Sequence, residues 1–443
     1  MFSHPESRSA RYNHWRSAAF SSSWLLYAGY YLCRENLRTV RTLPGAPPAP
    51  DNLAGLLFNF ALAYVLGHFV SGTLSDLPGS RFGARKIALT GGLASAASTG
   101  AMLFVHAPHA LLALQLLNGF AQGLGFPALC RMLAVWFNRA ERPNVLAWWS
   151  ASYSLGGVLA ASLTLWCATT QLIMPSWGWQ RCFIFPPILL ALISTYFFFT
   201  TQDNPEDVGL SPISPADDSA VTNEFRQSSG AISSGLWSGW WALLTNSHVR
   251  TIAAMYFFLK MTRYALLFWL PLYLVQTTHL SNNRAASTAA LFEFFGFAGA
   301  LLAVRLSTRY FNSRRYPVAA VMLFALGFLA LIQPLITTLG WWVSAISVAA
   351  MGLLVYAVDA LMVSVAVLES VPLACSARAI AAVNGSGSLG QMLSPLLVTW
   401  FARHYGWDNL FNLFLITSLA AAAIVAPRWN DEAGEVTAAV AEA

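Results

Sequence analysis

Twelve apolar runs parted by short polar loops dominate this chain, at about 17–40, 52–75, 86–106, 109–137, 144–168, 180–200, 249–276, 286–307, 317–338, 341–371, 377–402 and 408–427. A run of about 20 apolar residues crosses the hydrocarbon core of a bilayer as one helix. With no water in that core, only helices and closed barrels can satisfy the backbone. These runs are too long and too uniform for barrel strands, which alternate over about ten residues. Composition adds one constraint: 56% of residues are hydrophobic and only 10% are Asp, Glu, Lys or Arg, against roughly 25% charged in an ordinary soluble domain. A soluble globule, a disordered chain, a collagen and a coiled coil are excluded. The expected fold is an all-α membrane protein with the lipid bilayer as its solvent.

The runs fall six and six around one long polar stretch, 201–247, which carries Pro205, Pro212, Pro215 and five acidic residues before Glu224. It reads as a cytoplasmic linker. Two pseudo-symmetric six-helix bundles are expected, at 1–200 and 248–427, with a short acidic tail at 428–443. Trp237, Trp240 and Trp241 suit the membrane interface before span 7. The first run contains Arg34 and Glu35 and is too long for a cleaved signal.

Lys/Arg bias sets orientation. One set of loops carries Arg8, Arg11, Arg16, Arg81, Arg85, Lys86, Arg139, Arg142, Arg309, Arg314 and Arg315, and the other carries Arg38, Arg41, Arg181, Arg284 and Arg403. The first set is richer, so both termini are expected in the cytoplasm, with the protein in a bacterial inner (plasma) membrane. Basic charge spread over short loops does not make a nucleic-acid surface. The five Cys form no CxxC pair, and no phosphate-binding GxxxxGK[ST] loop occurs. No metal, cofactor or enzymatic chemistry is expected.

Charge deep in a span is costly and points to function. In span 1, Tyr27, Tyr31 and Arg34 recur at helical spacing; in span 7, Tyr256, Lys260 and Arg263 repeat the pattern. The two spans hold corresponding places in the two halves. A guanidinium donates two parallel hydrogen bonds to a phosphate or carboxylate. The bland alternative pairs each Arg with an acid such as Glu35 or Glu293. Glu293 in span 8 reads best as a partner of Lys260, and Asp359 in span 10 is a second counter-charge. His68 in span 2 is either a packing residue or a site residue. Asn118 with Gln122, Tyr153 with Ser154, and Asn384 with Ser388 and Gln391 are polar members of small-residue runs that could line a cavity.

Two resemblances follow. Gly72-Thr-Leu-Ser-Asp76 with Arg81-Phe-Gly83-Ala-Arg85-Lys86 resembles the loop signature of the major facilitator superfamily, where the Asp caps or pairs locally; the equivalent stretch of the second half has Thr308 where an acid is expected. Tyr30-Tyr-Leu-Cys-Arg34-Glu-Asn36, Asn118-Gly-Phe-Ala-Gln-Gly-Leu-Gly-Phe-Pro127, Arg263-Tyr264 with Trp269-x-Pro271-x-Tyr273, and Asn204-Pro-Glu-Asp-Val-Gly-Leu210 are similar to the organophosphate:phosphate antiporter family. That resemblance implies exchange of a sugar phosphate, glycerol phosphate or phosphoglycerate for inorganic phosphate. It places Arg34 and Arg263 on the phosphate, with Tyr27, Tyr31, Tyr64 and Tyr356 lining the cavity. The chain departs from the family at five positions: Glu35 for Lys, His68 for Lys, Phe126 for Trp, Tyr153 for His, and Lys260 for Tyr. One positive charge has left span 1 and another has entered span 7.

The expected mechanism is alternating access. Two bare Arg charges are costly to enclose without an anion, which favours exchange over empty return. A monomer is expected. The rival readings are a membrane sensor of sugar phosphate feeding a partner histidine kinase, and a proton-coupled organic-anion symporter using Glu293 or Asp359.

Overall fold

The computed structural model describes residues 5–34, 36, 40, 53–77, 82–105, 107–212, 236–278 and 281–431. Among them there is helix and no strand. Each of the twelve expected spans falls on helix: Pro5–Tyr31, Leu53–Ser75, Ala84–Ala101, Pro108–Gly123 with Gly125–Trp136, Arg142–Thr169, Phe185–Thr200, Ser247–Thr278, Asn282–Tyr310, Arg315–Thr338, Trp341–Asp359, Ser376–Tyr405 and Leu410–Val425. A further helix, Leu236–Thr245, precedes span 7 and exposes Trp237 and Trp241. Among the described residues, seven helices are long and apolar enough to cross a membrane by themselves, or eight if the pair bent by 43° at Ile184 counts as one. Span 4 falls short because it is divided, and span 11 because it carries Arg378, Asn384, Ser388 and Gln391. Large apolar side chains on the outer surface, such as Phe199, Leu335, Trp342 and Ile346, are exposed, as lipid-facing positions should be.

The chain divides into two compact units: 1–145 with 155–217 and 376–381, and 146–154 with 218–375 and 382–443. Both use one packing device. In the first, a Cβ on Gly123 would stand 2.4 Å from the Tyr64 carbonyl oxygen, and one on Gly119 would stand 2.5 Å from that of Phe60. In the second, a Cβ on Gly352 would stand 2.1 Å from the Phe292 carbonyl oxygen, and one on Gly299 would stand 2.0 Å from that of Leu353. Spans 2 and 4, and their counterparts 8 and 10, thus touch backbone to backbone, which only glycine allows.

Three helix ends differ from the sequence reading. Span 1 stops at Tyr31, before the expected end at 40; Leu32, Cys33 and Arg34 form a tight turn with bonds back to Gly29, Tyr30 and Tyr31 of 3.0, 3.3 and 3.1 Å. Arg34 therefore sits beyond the helix, not on its face, as i→i+3 bonding at helix ends permits. Span 4 breaks at Leu124. Pro127 has no N–H to give the Gly123 carbonyl four residues earlier, and the His68 ring nitrogen Nδ1 takes that carbonyl at 2.7 Å. Span 6 begins as a 3-10 turn, Pro175–Phe183, in which Arg181 is buried rather than a free loop charge. Its guanidinium donates to the carbonyls of Ala168 at 3.1 Å and Ile173 at 2.9 Å, and to that of Thr170, closing the C-terminal end of span 5.

Candidate functional site

In the first unit the short turn after span 1 presents Arg34, and its neighbours hold it there. The Nε–H donates to Gln122 Oε1 at 2.7 Å. The guanidinium lies 4.4 Å over the Tyr31 ring and 5.2 Å from that of Tyr64. Gln122 in turn donates to the Tyr30 carbonyl at 3.0 Å and to Ser95 at 3.2 Å. Asn118 donates to the Cys33 carbonyl at 2.9 Å and accepts from Ser95 at 2.7 Å. The turn is thus tied to span 4 through its own carbonyls. Gln122 and Asn118, read from sequence only as cavity-lining candidates, are the groups that aim Arg34.

Tyr27, Tyr31, Tyr64, His68 and Phe126 join this cluster. Tyr27 meets Tyr31 at 6.0 Å and Phe126 at 5.4 Å between ring centres, and Tyr64 meets His68 at 4.3 Å. Tyr30 does not share the cluster's role: its hydroxyl donates to the Ala88 carbonyl at 2.7 Å and its side chain is fully buried. Glu35 lies outside the described residues.

In the second unit the helical spacing of span 7 holds, because Ser247–Thr278 is one helix through Pro271. Arg263 Nη1 donates to Asp359 Oδ2 at 3.1 Å and Nη2 to the Tyr356 hydroxyl at 2.9 Å. Its guanidinium stands 4.1 Å over the Tyr356 ring and 5.3 Å from that of Tyr153, and the two rings stack at 5.8 Å. Lys260 Nζ donates to Ser388 at 2.8 Å and lies 5.4 Å from the Tyr256 ring. Arg263, Lys260 and Asp359 are all buried. Glu293 is half-buried on span 8, beside Phe292, whose ring meets Tyr356 at 6.0 Å. The premise of two bare guanidiniums fails in this unit: Asp359 partly neutralises Arg263. Sequence spacing could not reveal this, because the acid comes from another span.

The loop signature is built as a lock. Asp76 accepts from Arg131 Nε at 3.0 Å, Ala377 N at 3.2 Å and Arg378 N at 2.8 Å. It therefore both pairs and caps the start of span 11. Burial still outweighs these three donors, and the carboxyl is pushed up to about 6. In the second unit the acid missing at Thr308 is supplied by Glu369 from the end of span 10, which takes Arg315 through both oxygens at 3.1 and 2.9 Å. Its only sequence signal is an acid closing an apolar run.

The sequence pattern of the Major Facilitator Superfamily matches residues 45–372 and again 252–441. The chain belongs to that superfamily. It is 26% identical over 433 residues to the glycerol-3-phosphate transporter of Bacillus subtilis (strain 168), covering 95% of this chain and 94% of the relative. It is 27% identical over 441 residues to a probable hexose phosphate transport protein of Chlamydia pneumoniae, covering 95% and 92%. It is also 28% identical over 330 residues to a membrane sensor protein of Salmonella typhimurium, covering 72% and 70%. These relatives match the organophosphate:phosphate antiporter resemblance. Among solved structures, the E. coli fucose:proton symporter superposes with a TM-score of 0.70 at 14% identity, covering 93% of this chain and 98% of the other. The proton:xylose symporter does so with 0.65, also at 14%, covering 94% and 95%. Those two likenesses concern the fold. The chain is an integral membrane protein of a transporter family, not an enzyme.

Proposed function

We propose that this protein exchanges a phosphorylated organic anion, of the sugar phosphate, glycerol phosphate or phosphoglycerate class, for inorganic phosphate by alternating access. Arg34 of the first unit and Arg263 of the second are its anion-binding groups, with Lys260 adding charge. Tyr27, Tyr31, Tyr64, His68 and Phe126 accompany Arg34 in the first unit and Tyr153 and Tyr356 accompany Arg263 in the second as substrate-binding residues, and Glu35 and Glu293 are balancing acids, Glu293 toward Lys260. The observation that carries the reading is Arg34 itself: a half-buried guanidinium stacked on Tyr31, with its Nε fixed by a neutral amide. That arrangement fixes the orientation of the planar fork, as phosphate recognition requires. The relatives' glycerol-3-phosphate and hexose phosphate transport supports the same substrate class. A monomer in a bacterial inner membrane, with both termini cytoplasmic, completes the proposal.

Phosphate-loaded proteoliposomes offered hexose phosphate, glycerol phosphate, phosphoglycerate and non-phosphorylated acids test it. Uptake of at least one phosphorylated anion that depends on internal phosphate is expected. Uptake confined to non-phosphorylated acids, collapsing with an uncoupler, would overturn it in favour of proton symport. The sensor relative and the Asp359 pair favour a second reading: a receptor that binds sugar phosphate and signals to a histidine kinase. Phosphate binding without exchange would select it.

A further inference from the structure

Arg263 is held by a chain of hydrogen bonds that begins at Tyr256. The two residues lie seven apart on the continuous helix of span 7, so their side chains leave it on one face. The Tyr256 hydroxyl hydrogen-bonds Asp359 of span 10, and the Tyr153 hydroxyl of span 5 does the same. Asp359 accepts from Arg263 Nη1 at 3.1 Å, while Nη2 donates to the Tyr356 hydroxyl at 2.9 Å. A carboxylate offers about four acceptor sites, so three donors can share it. Phenols from spans 5 and 7 fix the acid, and the acid fixes one end of the guanidinium.

Tyr153, Tyr256, Arg263, Tyr356 and Asp359 are all buried. A buried Arg–acid pair keeps its geometry only with further hydrogen bonds on the acid, which the two phenols supply. In such low-dielectric surroundings a connected polar network is rigid, and a broken one is costly.

Packing fixes where the Tyr256 ring can lie. A Cβ on Gly387 of span 11 would stand 2.4 Å from that ring and 2.9 Å from Lys260 Cδ. Likewise a Cβ on Gly296 of span 8 would stand 2.5 Å from the Tyr356 ring. Two glycines thus let two tyrosines lie against neighbouring helices while their hydroxyls reach the Arg263–Asp359 pair. Lys260 Nζ lies 5.4 Å from the Tyr256 ring and donates to Ser388, the residue after Gly387. A binding group serves best when packing and hydrogen bonds behind it lock its orientation.

We propose that Tyr256 is a positioning residue, which through Asp359 holds the Arg263 guanidinium in the orientation that receives the anion. This rests on the reading of Arg263 as an anion-binding group. Tyr256 does not touch the anion, and its hydroxyl matters only while Asp359 is there to accept it.

Phosphate self-exchange in proteoliposomes, measured over a range of external phosphate, tests it with Tyr256→Phe, Asp359→Ala and the double variant. Tyr256→Phe keeps the ring and removes only the hydroxyl. It is expected to raise the half-saturating phosphate concentration ~10-fold, as loss of one buried hydrogen bond would, with the maximal rate little changed. In the Asp359→Ala background the same substitution is expected to change nothing further. A lowered maximal rate with unchanged half-saturation is the mark of a merely structural tyrosine and would overturn the proposal. So would a second ~10-fold rise in the double variant, which would put Tyr256 on the anion itself. If Asp359→Ala does not fold or does not exchange, Tyr256→Phe alone decides: unchanged half-saturation overturns it. Exchange that survives Arg263→Ala removes the anion reading of Arg263 and this inference with it, whereas exchange lost in Arg263→Ala and normal in Tyr256→Phe removes the inference alone.

Discussion

At the scale of single residues, Arg34 works because other groups hold it. Gln122 fixes its Nε while its second amide end holds the Tyr30 carbonyl and Ser95. Gln122→Leu should leave those partners without donor or acceptor, at a cost of ~1–3 kcal/mol for each buried polar group so orphaned. The expected outcome is a folded protein with exchange reduced at least ~10-fold, by the factor-of-ten rule for about 1.4 kcal/mol. Unchanged exchange would show that Arg34 needs no aiming. The substitution of Lys for Arg34 should retain little exchange, because a point charge lacks the fork. Arg34, Lys260 and Arg263 were legible from sequence, since a charge inside an apolar run announces itself. Asp359 was legible as a counter-charge, but its choice of Arg263 was not: an acid's partner on a different span leaves no trace in spacing. Tyr30 shows the converse, an aromatic in the motif whose hydroxyl serves only to hold span 3 through Ala88.

Helices and loops carry a second set of expectations. The bend in span 4 joins Pro127, Gly123 and His68 into one device, in which an imidazole replaces the N–H that proline lacks. His68→Ala should therefore lower thermal stability by ~1–3 kcal/mol, the cost of a buried carbonyl left without its donor. Lost exchange with unchanged melting would instead assign His68 to the anion. Asp76 gives the pH prediction. Its carboxyl is raised to about 6 by burial, so its contribution to stability is full below the ordinary Asp range and is lost as pH rises through about 6. Wild type should gain melting temperature on acidification from pH 7 to 5, and Asp76→Asn should gain less; equal gains would contradict the assignment. The existence of all twelve helices was readable from apolar length alone. The early end of span 1, the break at Leu124 and the bend before Phe185 were not. Each depends on which carbonyls a neighbouring span or a buried Arg can satisfy, and that is a tertiary fact.

For the whole molecule, the six-plus-six pattern and the superfamily follow from sequence, while the grouping of segments does not follow chain order. Residues 146–154, which carry Tyr153, group with the second unit, and residues 376–381, held by Asp76, with the first. Hydrophobic runs report where lipid is, not which bundle a short segment joins. The central claim is that one guanidinium from each unit is needed to move a phosphorylated anion. Its most direct test is radiolabelled phosphate self-exchange in proteoliposomes, comparing wild type with Arg34→Ala and Arg263→Ala, each checked for monodisperse folding. The account predicts rapid exchange by wild type and none above empty liposomes by either variant; near-normal exchange by either one would contradict it.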